Sequence, residues 1–109
     1  MNYTKGDVIL LKYPFTSFEV KKIRPAIVVS THNDKYDDIF VVPLTSRIYN
    51  LAHEEFVLGS WQKAGLNVSS AVKRGIYLID RKLILKKLNK ISNTDLEKLY
   101  TSIKFWLGI

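Results

Sequence analysis

Asp7-Val8-Ile9-Leu10-Leu11-Lys12-Tyr13 is a β-branched and aliphatic run halted by Pro14, and it decides the fold class. A short, continuously apolar run bounded by turn residues reads as a buried strand rather than a helix. The same signature recurs twice. Ala26-Ile27-Val28-Val29-Ser30 opens after Pro25, and Ile39-Phe40-Val41-Val42-Pro43-Leu44 follows. Between them lies the polar, turn-prone connector His32-Asn33-Asp34-Lys35-Tyr36-Asp37-Asp38, so the second and third strands should form a hairpin.

Further along, Glu54-Glu55-Phe56-Val57-Leu58 reads as a strand ended by Gly59-Ser60. Val68-Ser69-Ser70-Ala71-Val72 and Ile76-Tyr77-Leu78-Ile79 follow, separated by Lys73-Arg74-Gly75. Leu83-Ile84-Leu85-Lys86-Lys87-Leu88 suits a helical turn followed by a last strand, with the boundary left open. One helix is plain. Ser92-Asn93-Thr94-Asp95 has the capping-box form, an acidic group three residues after a Ser N-cap. Beyond it Leu96, Leu99, Tyr100, Ile103, Trp106 and Leu107 recur at helical spacing as one apolar stripe, and Gly108 follows. Many short strands and then one terminal helix predict a mostly-β (α+β) fold, a small barrel closed or flanked by the helix. One domain over residues 1–109 is expected, since the sequence holds no repeat, linker or low-complexity tract.

Composition narrows the chemistry. Hydrophobic residues make up 47% of the chain, enough for a core and too many for a disordered segment. Cysteine is absent, which removes disulfides, thiolate catalysis and Cys-based zinc sites together. No run approaches the roughly 20 apolar residues of a membrane span, and Met1-Asn2-Tyr3-Thr4-Lys5-Gly6-Asp7 has no signal-peptide core. A complete, soluble, cytoplasmic chain is therefore expected, with no membrane partner. Lysine and arginine number 17 against 10 acidic residues, and the resulting net charge of +7 favours an anionic partner.

Three segments in order carry a resemblance. Gly6-Asp7-Val8-Ile9-Leu10-Leu11 leads to Pro14-Phe15-Thr16, then Arg24-Pro25-Ala26-Ile27-Val28-Val29-Ser30, then Val42-Pro43-Leu44-Thr45-Ser46. Later come Gly65-Leu66, Ser70-Ala71-Val72, Ile79-Asp80 and Asp95-Leu96 at the start of the terminal helix. This ordered set resembles the MazF/PemK family of toxins from type II toxin–antitoxin pairs, over nearly the whole chain. The resemblance implies an SH3-like barrel, a homodimer, a cognate antitoxin and sequence-selective cleavage of single-stranded RNA. It also implies that no metal or other cofactor is needed, because the substrate's own 2′-hydroxyl attacks the adjacent phosphate. The family's catalytic arginine falls at Arg24 and its catalytic threonine at Thr45.

Those residue types suit the reaction. A guanidinium holds two phosphate oxygens in a planar fork and is always charged, and a threonine hydroxyl can donate to the same phosphate. Taken alone, Arg24 is a solvent-facing residue before a proline and Thr45 an ordinary strand end. Their joint placement in the family frame gives them a role. Ser46 is expected to support them. Lys21, Lys22 and Arg47 are expected to hold the RNA backbone, and Phe15 or Tyr49 to stack a base. Lys73-Arg74, Arg81-Lys82 and Lys86-Lys87 form a second basic group, facing solvent or an acidic antitoxin tail. His32 and His53 have no carboxylate partner at a telling spacing, are too few for zinc, and receive no role. Two rivals stand beside this reading: a non-catalytic binding module of the same fold, and a toxin acting on a protein such as DNA gyrase, as the related CcdB family does.

Overall fold

The computed structural model describes residues 2–13, 22–31 and 35–109. Seven strands come first: β1 (Asp7–Tyr13), β2 (Lys22–Val28), β3 (Asp38–Thr45), β4 (Phe56–Val57), β5 (Ala71–Val72), β6 (Tyr77–Asp80) and β7 (Ile84–Lys90). A 3₁₀ turn (Arg81–Leu83) precedes β7, and α1 (Asn93–Leu107) follows it. The described pairings are all antiparallel and run β4-β5-β3-β2-β1-β7, with β6 also on β3.

The outer edge of β3 is shared. Residues 38–41 pair with β6 and residues 44–45 with β5. Pro43 sits between the two stretches, and its carbonyl accepts from Lys73 N–H at 2.9 Å. Among the described residues β4 and β7 do not pair, so the hydrogen-bonded path stays open where a closed small barrel was one expectation. The reason is local. β4 is two residues long, and the segment after it turns on itself instead of continuing the sheet, with Ala64 N–H donating to Ser60 O at 3.2 Å. That segment meets β7 through one bond, Asn89 N–H to Ala64 O, at 3.2 Å.

Both faces of β1, β2 and β3 are covered, which explains why their sequences are continuous apolar runs rather than alternating ones. Ile9, Leu11, Ala26, Val28, Ile39 and Val41 belong to one core with Tyr3 and Ile79. The intervening residues Val8, Ile27, Val42 and Leu44 belong to a second core with Leu58, Val72 and Leu99. A fully buried aliphatic side chain contributes about 1.5–3 kcal/mol, so the two cores dominate the stability.

The helix starts as its sequence prescribes. Ser92 Oγ accepts from Asp95 N–H at 3.1 Å, and Gly108 ends the helix in the left-handed conformation at φ 70°. Leu99 is buried, and Leu96, Ile103 and Trp106 pack on the second core. Leu107 departs from the expected stripe and faces solvent. Three side chains of α1 fasten it to the chain between β3 and β5. The buried Asp95 carboxylate accepts from Gly59 N–H at 3.0 Å and Ser60 N–H at 3.2 Å. Ser102 Oγ donates to Glu54 O at 2.7 Å, and Trp106 Nε1 donates to His53 O at 3.3 Å. Trp61 packs half-buried on the second core.

Candidate active site

Arg24 and Thr45 lie on neighbouring strands: β2 and β3 pair Val28 with Val41, Ile27 with Val42 and Ala26 with Pro43. Both line one open cavity of about 470 Å³, and Ser46 joins them. β2 was expected to open at Ala26, but it starts at Lys22 and carries Arg24 and Pro25 within it. Pro25 fits because the described ladder to β3 begins only at Ala26.

The floor of the cavity is apolar. Leu10 is flanked by Pro25 on β2 and Lys86 on β7. Leu44, Leu66 and Leu88 line the same cavity. The far wall is the chain from Gly65 to Val68. Gly65 has a φ of 88°, and a Cβ there would lie 3.1 Å from Leu88 Cβ and 3.2 Å from Asn89 N. Only glycine lets this segment approach β7 so closely. The chain leading to the wall is tied to α1 by Asp95 through Gly59 and Ser60. The Gly65 end of the wall is held against β7, where Asn89 N–H donates to Ala64 O.

Two cations line the cavity, Arg24 and Lys86, and neither has an ion pair among the described residues. The two lysines expected to act together are separated by the strand. Lys87 Nζ lies 3.3 Å from the fully buried Asp7 carboxylate, whereas Lys86 lines the cavity. Thr45 is preset by its own turn: Oγ1 accepts from Arg47 N–H at 3.1 Å. A hydroxyl that accepts there still has its proton to donate. The other lining polar groups are the Ser46 hydroxyl, the Asn67 amide and Ser70, whose hydroxyl donates to Val68 O at 3.0 Å.

The remaining expected contacts are more scattered. Arg47 and Lys22 are exposed but do not line the cavity. Tyr49 is exposed as well. Phe15, Lys21 and His32 lie outside the described residues. His53 stacks at 4.5 Å on Phe105, away from the cavity. Asn67 is a lining group that sequence reading passed over, and Lys86, read there only as part of a second basic group, lines the cavity as well. No local pattern marks them, since they meet Arg24 only through the sheet.

A family model described as PemK-like, MazF-like toxin of type II toxin–antitoxin system matches residues 4–107. Several solved structures share the fold. The crystal structure of MazF (Form-I) from Deinococcus radiodurans is 23% identical, with a TM-score of 0.80 over 100% of this chain and 99% of that one. The Mycobacterium tuberculosis toxin MazF-mt6 is 16% identical, with a TM-score of 0.74 over 94% and 97%. An endoribonuclease in complex with its cognate antitoxin from Mycobacterial species is 16% identical, with a TM-score of 0.75 over 99% and 95%. No curated protein sequence gives a significant match. With its strand order, terminal helix and nearly full-length family match, this chain belongs to the PemK-like, MazF-like toxins of type II toxin–antitoxin systems.

Proposed function

We propose that this toxin is a sequence-selective endoribonuclease that cuts single-stranded RNA without a metal ion. The observation that carries the reading is that Arg24, Thr45 and Lys86 line one cavity. Cleavage begins when the substrate's 2′-oxygen bonds to the adjacent phosphorus. The 2′-hydroxyl gives up its proton to solvent, the bond to the 5′-oxygen of the next nucleotide breaks, and that oxygen takes a proton from solvent, leaving a 2′,3′-cyclic phosphate and a 5′-hydroxyl. Charge gathers on the non-bridging oxygens in between. Arg24 neutralises it with its fork, and Thr45 donates its hydroxyl proton to the same phosphate while Arg47 N–H holds its oxygen in place. Ser46 supports the pair. None of the described lining groups is a carboxylate, imidazole or thiol, the usual donors for divalent ions, and this favours chemistry by the side chains themselves.

The deciding experiment is incubation of purified protein with a long RNA in EDTA, followed by mapping of the new ends. Discrete cuts bearing 5′-hydroxyls are expected. Folded protein that cuts none of a varied set of RNAs would instead support the non-catalytic binding module.

The working form is a cytoplasmic homodimer held in check by a cognate antitoxin. Family membership supports both assemblies, and the complex of the mycobacterial endoribonuclease with its antitoxin supports the second. Light scattering at micromolar concentration should give twice the 12.6 kDa chain mass; a mass of one chain would sink the dimer. An antitoxin that binds this chain should stop the cutting when added in equal amounts, and continued cutting by the complex would contradict its role.

A further inference from the structure

A phosphate alone would need only the cationic rim of this cavity. The volume of about 470 Å³ is that of a pocket for a small organic group, within the roughly 300–1,000 Å³ typical of ligand sites. Its floor is aliphatic, and two aliphatic side chains at its edge, Ile23 and Val68, are 59% and 54% exposed. Unpartnered aliphatic groups around a cationic rim match the two halves of a nucleotide, an apolar-faced base and a charged phosphate. Within that frame Asn67 carries the one carboxamide among the described lining residues. An amide presents a donor and an acceptor side by side, the arrangement that reads a base edge in two bonds. Lys86 lies across the floor from it, on β7 beside Leu10, with no carboxylate to neutralise it among the described residues.

We infer that the cavity is a subsite for one nucleotide flanking the scissile phosphate, in which Asn67 reads the base and Lys86 holds a neighbouring phosphate. The inference rests on the endoribonuclease reading and adds a division of labour to it. Lys86 contributes affinity without regard to sequence, and Asn67 contributes selectivity at one position. The segment bearing Asn67 suits that task because its Gly65 end packs closely on Leu88 and Asn89 of β7.

The test is cleavage of an RNA pool randomised around the cut, with fragment ends sequenced, for the native protein, Asn67→Ala, Asn67→Asp and Lys86→Ala. The native protein should prefer one base at a position adjoining the cut. Asn67→Ala should flatten that preference about tenfold while selectivity elsewhere persists, and Asn67→Asp should shift it towards a base that offers an amino group. Lys86→Ala should lower kcat/KM about tenfold at every sequence and reduce its salt dependence by about 0.7 in log–log slope. A merely structural role for Asn67 would depress all sequences alike. Native protein that cuts nothing would remove the endoribonuclease reading and this one together. Native protein that cuts selectively, with variants that keep its base preference and salt slope, would overturn this inference alone and leave the cavity to a protein partner.

Discussion

Arg24→Ala is expected to abolish RNA cleavage and release cells from growth arrest while leaving the fold intact. Removing one preorganised donor from a developing oxyanion costs about 3 kcal/mol, a factor of 10²–10³ in rate. Arg24 is the only guanidinium among the described residues of the cavity, so the loss should lie at the upper end. Its side chain is exposed and has no ion pair among the described residues, so unfolding free energy should move by less than about 0.5 kcal/mol. Arg24→Lys should recover little, because an ammonium keeps the charge but loses the two-oxygen fork. Single-turnover cleavage beside a urea unfolding curve checks both halves. Parental cutting by Arg24→Ala would end the assignment of this site.

The second large effect is on stability. Leu99 is completely buried in the core beneath α1. Leu99→Ala removes that contact and leaves a cavity, which costs about 2–5 kcal/mol. For a chain of this length the melting temperature should fall by about 10–20 °C. The consequences should reach the active site, because α1 anchors the Gly59–Ser60 turn from which the cavity wall departs. A loss under about 1 kcal/mol would mean that the helix is not integrated into the core.

The elements most legible in the sequence were those whose causes are local. β1 has the bounds that its apolar run and Pro14 mark, and the helix starts at Ser92 because the capping box is written within four residues. Boundaries set by distant partners were less legible. The strand expected over residues 54–58 shrinks to Phe56–Val57. Glu54 takes a φ of 67°, and the Glu55 carboxylate accepts backbone N–H groups from Ala52 and Arg74 at 2.6 and 2.7 Å. Arg74 is far along the chain, so no window around Glu55 reveals that bond. The open boundary before the last strand falls between the 3₁₀ turn and Ile84.

The site shows the same division. Arg24 and Thr45 were named by resemblance, but that they line one cavity is a property of the folded sheet. Lys86 and Lys87 look equivalent in sequence. Alternation along β7 sends one to the cavity and the other to Asp7, and that depends on which residues of β1 they face. Asn67 carries no local mark at all.

The open hydrogen-bonded path bears on how the protein behaves when concentrated. An unclosed sheet offers strand edges that a second molecule can extend, the first step towards fibrils. One end here is β4, two residues long and too short to template much. The other is β7, where Lys86, Lys87 and Lys90 are exposed along seven residues. Two copies meeting edge to edge there would oppose cation to cation, which disfavours strand addition. The positive charge along β7 thus also acts as a gatekeeper against self-templated aggregation.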